Sequence, residues 1–325
     1  MKVLVTGASG FTGGHLVRHL AAAGHEVVGL ARDPEKARTL GIGVSVVRGD
    51  LLDRTSLRAA CEGVDVVYNI AALYREAGLP KEAYQDVNAR AVGWLIEAAA
   101  AAGVRRVVHC STVGVHGDVE HPPANEDAPL RPGDVYQWTK LEGESVAREA
   151  AGRTGVELVI ARPTGIYGPG DRRLLKLFRG VARGRFLMLG KGDIFYHLTY
   201  VEDLCEGFRL CGEAAAAAGR TYILAGGDVT TLKELVARIA RIAGVRPPKR
   251  SLPVWPVWIA GAVCEAACAP LRIEPPLYRR RVDFFTKSRA FDISRAQSEL
   301  GYAPAVGLDE GIRRTLDWYR QYKWI

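Results

Sequence analysis

Val3-Leu4-Val5-Thr6-Gly7-Ala8-Ser9-Gly10-Phe11-Thr12-Gly13 opens the chain: an apolar strand-type run breaks into glycines three apart and passes into a helix-type pattern. Such a turn brings backbone N–H groups and the positive end of a helix up to an anion, the arrangement that receives a dinucleotide pyrophosphate. Tight helix packing alone is the competing reading of a glycine-rich turn. A second signature, Tyr136-Gln137-Trp138-Thr139-Lys140, sets a phenol and an ammonium one helical turn apart on the same face. Ser111 and Thr112 end the apolar run Arg106-Val107-Val108-His109-Cys110. In a doubly wound sheet the carboxyl ends of strands line the ligand crevice, so hydroxyls there can meet the tyrosine over a bound nicotinamide. Together the two signatures predict a nicotinamide-dependent enzyme whose acid/base is Tyr136.

Working outward, strand and helix patterns alternate. Strands are expected at 2–6, 26–31, 44–48, 64–69, 106–110 and 156–161, with helices from 11, from 34, from 55, through 98–100 and over 134–150. That rhythm predicts an α/β fold, a Rossmann doubly wound parallel sheet with helices on both faces. After Arg162 the rhythm breaks, and 170–200 and 226–288 carry Pro, Gly, aromatic and basic residues. A strand at 221–224 is expected to return to the sheet.

With 325 residues the chain can bury a sizeable core in one large or two unequal domains. Charged residues at 25% and hydrophobic ones at 48% are ordinary for a soluble globular protein. Cysteines 61, 110, 205, 211, 264 and 268 form no Cys-x-x-Cys pair. They read as reduced, buried thiols, with neither a disulfide framework nor a metal site, in a cytoplasmic protein. Met1 and Lys2 lead directly into the first strand, so no secretory signal is expected. The net charge of +8 is dispersed over pairs and triplets such as Arg105-Arg106, Arg172-Arg173 and Arg279-Arg280-Arg281, without interleaved aromatics. These read as solvated surface, with some attraction for a phosphate-bearing cofactor and no nucleic-acid binding.

The ordered series Thr6 to Gly13, Gly49-Asp50-Leu51, Asn69-Ile70-Ala71-Ala72, Asn88, Ser111-Thr112, Tyr136 with Lys140, Arg162-Pro163 to Tyr167-Gly168-Pro169, Tyr200 to Leu204 and Asp292 to Tyr302 resembles the extended short-chain dehydrogenase/reductases, the NAD-dependent epimerase/dehydratase superfamily. The resemblance runs over essentially the whole chain. It implies a cofactor-binding domain over 1–165, with returns near 200–225 and 288–296. Residues 166–325 would then form mainly a smaller, discontinuous C-terminal substrate-binding domain. Fold alone does not fix the reaction. Mapped onto this sequence, the cofactor-binding residues are Gly7, Ser9, Gly10, Phe11, Thr12, Gly13, Asp50, Leu51, Ala71, Ala72, Asn88, Pro163, Tyr136 and Lys140; for Asn88, a helix cap is an equally good reading.

The family places an acidic residue at the end of the second strand for NAD, or an arginine nearby for the phosphate of NADP. Here Glu26-Val27-Val28-Gly29-Leu30 ends in Ala31-Arg32, with Lys36 beyond. NADP(H) is therefore favoured through Arg32 and Lys36, with NAD(H) the alternative if Asp33 turns inward. In the expected mechanism Tyr136 gives or takes a proton while hydride moves, and Lys140 lowers its pKa and binds the nicotinamide ribose. Thr112, ahead of Ser111, positions the reacting oxygen.

Departures from the family pattern narrow the substrate. Val113 and Gly114 stand where sugar dehydratases carry Asp and Glu. Gly165 and Tyr196 stand where nucleotide-sugar epimerases carry the Asn and Arg that hold a diphosphate, although Arg280 or Arg281 could compensate. An apolar run from Leu252 to Leu271, with Pro275-Pro276-Leu277-Tyr278 and Phe284-Phe285 beyond, carries Glu265 and prolines. It is read as a helix covering a hydrophobic pocket and not as a membrane span. This pattern resembles the 3β-hydroxysteroid dehydrogenase-like and dihydroflavonol reductase-like branches, which implies a small hydrophobic alcohol or ketone as substrate. Arg279-Arg280-Arg281 would allow at most peripheral membrane contact, a solvated turn being the plainer reading. The alternatives are a nucleotide-sugar epimerase with tightly held NAD(P) and a non-catalytic cofactor sensor. A homodimer through Val135, Trp138 and Leu141 stands beside a reading of those residues as core.

Overall fold

The short apolar runs Val3–Val5, Val27–Leu30 and Val66–Tyr68 are buried on both faces, the condition under which strands pair in parallel beneath helices. In the computed structural model, which describes residues 1–37, 44–76, 78–248, 251–268, 273 and 282–325, they form a parallel sheet of seven strands. Its order is Thr221–Leu224, Glu157–Pro163, Arg106–Cys110, Val66–Asn69, Lys2–Thr6, Glu26–Ala31, Val44–Arg48. Every neighbouring pair is parallel. The chain adds strands on one side of Lys2–Thr6 and then crosses to the other, so a crevice opens between Thr6 and Asn69. Thr6 spans it, donating from Oγ1 to Asn69 Oδ1 and accepting from the N–H groups of Ile70 and Ala71.

Helices Phe11–Ala22 and Val201–Glu213 cover one face through Leu16, Leu20, Leu204 and Phe208. Arg54–Cys61, Ala91–Ala101 and Val135–Thr154 cover the other through Leu57, Leu95, Ala147 and Ala150. The strands Gly165–Tyr167, Phe195–Tyr200 and Val229–Thr231 make a second sheet. Helices Leu175–Ala182, Leu232–Ala243 and Leu308–Gln321 pack beside it around Phe178, Tyr196, Ile239 and Leu316. Because Phe195–Tyr200 runs straight into Val201–Glu213, the second core is fixed to the first by a continuous chain.

Three expectations change. Arg106 is not solvated: at 1% exposure it lies under the end of the Val201–Glu213 helix and donates to the carbonyls of Cys211, Gly212 and Ala214. The last carbonyls of a helix lack partners and carry its negative end, so a buried guanidinium satisfies both needs. Val135 and Trp138 lie outside the core, 40% and 56% exposed on the outer side of their helix. The apolar helix Val254–Cys268 presents Trp255, Trp258, Ile259 and Val263 outward, and none of its residues lines the main cleft. Its apolar residues run all round and give it no single covering face. Among the described residues no helix is long and apolar enough to cross a membrane. Arg279, Arg280, Arg281, Pro275, Pro276, Leu277 and Tyr278 lie outside the described residues.

Arg106→Met should remove that helix end's partners and cost on the order of 3 kcal/mol. Urea unfolding followed by circular dichroism would show the midpoint fall; an unchanged midpoint would mean that the carbonyls find other donors.

Candidate active site

A cleft of about 1750 Å3 runs from the glycine turn to the second core. At its inner end Gly7 holds φ +69°, a left-handed turn, and a Cβ on Gly13 would lie 2.1 Å from the Gly7 carbonyl oxygen. Only glycine lets the helix start so close to the strand. The Phe11–Ala22 helix begins at Gly10 with no side-chain cap, leaving its first N–H groups without side-chain acceptors. Ser9, Gly10, Phe11, Thr12 and Gly13 line the cleft there. An uncapped helix start over a floor with no room for a side chain fits a dinucleotide pyrophosphate.

Farther along, Ala31, Arg32, Asp50 and Leu51 line one wall, and Ala71, Ala72 and Pro163 another. Arg32 is exposed, and Asp33 accepts the Glu35 N–H and does not line the cleft. The Lys36 side chain lies outside the described residues. Asn88 is buried behind the wall, where Oδ1 accepts from the Leu73 N–H and Nδ2 donates to the Leu73 carbonyl and to Thr139 Oγ1. It neither lines the cleft nor caps a helix, but ties the Leu73 loop to the tyrosine helix.

Thr112 and Tyr136 both face the cleft, and Lys140 is buried behind it at 1% exposure. Thr112 Oγ1 accepts the Gly114 N–H at 3.0 Å, which leaves its own proton available. Ser111 instead donates to Glu144 Oε1 at 2.5 Å, so its proton is committed away from the cleft. Burial pushes the Tyr136 phenol above its ordinary pKa, Cys110 and Tyr74 push the same way, and Arg173 and Arg75 oppose them. The lowering expected from Lys140 is therefore not what governs this geometry. Burial also lowers the Lys140 ammonium, against support from Cys110 and Glu144.

Several site residues escaped the sequence reading. Tyr74 stacks edge-on to Tyr136 at 4.8 Å, and Arg75 lies 5.8 Å over the Tyr136 ring while donating to Asp134 at 2.7 Å. Asp134 is also the N-cap of the tyrosine helix, accepting the Gln137 N–H. Arg173 lies over Phe11 and pairs with Asp171. Beneath the site, Arg162 donates two bonds to Glu144 at 2.9 and 2.7 Å, both residues being nearly excluded from water. The one available signal for Glu144 was its place one turn beyond Lys140 on the same buried face. Two departures from the family pattern now have a geometry. A Cβ at Gly165 would meet Leu198 at 2.8 Å, and Tyr196 is buried with its ring 5.3 Å from that of Phe284.

Burial raises the Glu144 carboxyl, but the Arg162, Ser111 and Arg148 contacts outweigh it and hold the pKa below the usual value. Its contribution to stability is thus present above the unfolded carboxylate pKa of about 4.3 and is lost as pH falls through the lower folded value. Glu144→Ala leaves the Arg162 charge buried and should cost about 3–5 kcal/mol at neutral pH. Urea unfolding at neutral pH measures this; a loss under 1 kcal/mol would contradict it.

Comparison with known proteins follows the same lines. The family model described as NAD dependent epimerase/dehydratase family matches residues 3–225. The chain is similar to a 2-alkyl-3-oxoalkanoate reductase of Stenotrophomonas maltophilia, at 31% identity over 97% of this chain and 98% of that one. It is also similar to a 3beta-hydroxysteroid-dehydrogenase/decarboxylase of Arabidopsis thaliana, at 30% identity over 97% of this chain and 61% of that longer protein. The structure of MoeE5 in complex with UDP-glucuronic acid and NAD superposes with a TM-score of 0.79, at 28% identity, over 99% of this chain and 100% of that one.

Proposed function

The chain belongs to the NAD dependent epimerase/dehydratase family, and from that premise we propose that it interconverts a hydroxyl and a carbonyl on a hydrophobic substrate. The observation that carries this reading is the placing of Thr112 and Tyr136 together in a cleft, with Lys140 buried behind them, whose outer half is walled by Phe186, Tyr196, Phe284 and Phe285. When bound, the nicotinamide supplies or takes up the hydride. Tyr136 donates its phenolic proton to the carbonyl oxygen in reduction and accepts one from the hydroxyl in oxidation. Thr112, its oxygen held by the Gly114 N–H, donates to the same oxygen and fixes it beside the phenol. Arg173 and Arg75 place positive charge near the phenol, favouring the phenolate when it forms, while Lys140 is the proposed partner of the nicotinamide ribose.

NADP(H) is the proposed cofactor, supported by Arg32 on the cleft wall where the second strand ends and by Asp33 being turned to its own helix. The epimerase alternative is disfavoured by Gly165 and Tyr196, which supply neither of the diphosphate contacts expected of it and sit where neighbours crowd in.

Oxidation of NADPH against a panel of hydrophobic ketones tests the reading. Wild-type protein should turn over at least one of them, and Tyr136→Phe should lower the rate about a hundredfold or more while still binding cofactor. Cofactor retained through purification, UDP binding and no net oxidation would replace this reading with the epimerase. Arg32→Asp should move the preference from NADP(H) towards NAD(H); equal kcat/KM ratios in the two proteins would remove Arg32 from that role.

A further inference from the structure

The helix Val254–Cys268 lines no part of the cleft and takes no part in the reaction proposed above. It rests on the protein through Gly261 and Cys268, both buried. Trp255, Trp258, Ile259 and Val263, three or four residues apart, form one outward stripe, with Trp255 66% and Val263 63% exposed. The other exposed residues of the helix are Ala260, Ala266 and Ala267, so none of its exposed residues is polar. A helix apolar all round belongs in a core or in lipid, and a contiguous exposed apolar patch marks a surface that something covers. At 15 residues, about 22 Å, it is too short to span a hydrocarbon layer of about 30 Å and long enough to lie in its interface.

Charge decides what covers it. The start of the helix adjoins a basic segment: Ser251–Leu252 pairs with Met188–Leu189, and a Cβ on Gly190 would lie 3.1 Å from Val254 Cγ2. On that segment Arg183, Arg185 and Lys191 are exposed, against one exposed carboxylate, Asp193. The sequence from 244 to 281 carries seven Lys or Arg and two Glu, which is five of the chain's eight net positive charges. A second copy of this chain would bring the same positive surround and be repelled, whereas an anionic surface is drawn to it. We infer that this face docks on an anionic phospholipid bilayer, with Trp255, Trp258, Ile259 and Val263 entering the interface and Arg183, Arg185 and Lys191 meeting the headgroups. Tryptophan suits that depth, since its ring is apolar while its N–H still reaches polar partners. The docked face also adjoins the cleft. Phe186, which walls the cleft's outer half, lies between Arg185 and the exposed Leu187, and Leu252 on the paired strand is exposed as well. Docking therefore sets the aromatic end of the cleft beside the lipid, whichever reaction the cleft performs.

Sedimentation of the full chain with vesicles tests the inference. Wild-type protein should bind vesicles of three parts phosphatidylcholine to one part phosphatidylglycerol about tenfold or more tightly than vesicles of phosphatidylcholine alone. Added NaCl should weaken that binding. Trp255→Gln with Val263→Gln should lower the affinity about tenfold or more while the thermal transition stays that of wild type. Arg183→Gln with Arg185→Gln should remove most of the preference for the anionic vesicles. Brominated phosphatidylcholine in the same vesicles should quench the tryptophan emission of wild type, a readout that needs no variant. No sedimentation with the anionic vesicles, or sedimentation without quenching, overturns the inference. Equal binding to the two kinds of vesicle overturns the choice of an anionic surface, and binding that Trp255→Gln with Val263→Gln leaves unchanged removes the helix from the contact. A wild-type dimer in lipid-free solution that the same double variant takes apart also overturns it, since a second copy would then cover the face.

Discussion

The buried ion pair between Glu144 and Arg162 is the constraint on which the site depends. Glu144 lies on the Val135–Thr154 helix one turn past Lys140, and Arg162 lies on the Glu157–Pro163 strand. Their two short bonds therefore fix the angular setting of the helix that carries Tyr136. The pair reaches further: Ser111, at the end of the neighbouring strand, donates to Glu144, and Arg162 also bonds His116 and the Glu126 carbonyl. Strand end, helix and the loop over 116–126 are thus registered to one another by a single charged cluster. A pair of buried charges is costly to desolvate, and here each of the three guanidinium nitrogens of Arg162 has an acceptor, which helps such a pair to hold.

Around that anchor the helix is held at its start by a different device. Asp134 caps the first turn and at the same time receives Arg75 from the loop that follows the Val66–Asn69 strand. The loop is tied a second time through Asn88, which joins the Leu73 backbone to Thr139. The wall carrying Tyr74 and Arg75 and the helix carrying Tyr136 are therefore bound together at both ends of a short span. The cleft wall and the start of the tyrosine helix therefore share one carboxylate, Asp134.

The sheet and its crossing helices were legible because each rests on a local pattern. Strands at 2–6, 26–31, 44–48 and 106–110 appear with the expected bounds, and the helix expected over 134–150 continues to Thr154. Apolar runs bounded by turn residues carry that information in the order of the chain. Buried charge does not. Arg106 and Arg162 satisfy partners 18 or more residues away in another element and carry no local periodicity that marks them as buried, while Glu144 is marked only by its place one turn beyond Lys140. The sequence reading of Arg106 as solvated failed for that reason. The ranking of Thr112 ahead of Ser111 acquires its physical reason from Glu144, which takes the serine's proton. Arg75, lying in a loop without periodicity, had no sequence signal at all.

Charge placement also separates the two ends of the cleft. At the inner end the polar contacts are backbone N–H groups over a glycine floor, fit for a phosphate that must come very close. At the outer end they are side chains set among rings, with Arg75, Arg173 and Lys287 paired to Asp134, Asp171 and Asp283. A pre-paired cation gives an incoming anion little net attraction, since it must compete with the resident carboxylate or displace it. Discrimination among substrates therefore falls to whichever cation lacks a resident partner, while the paired ones set the field and the geometry.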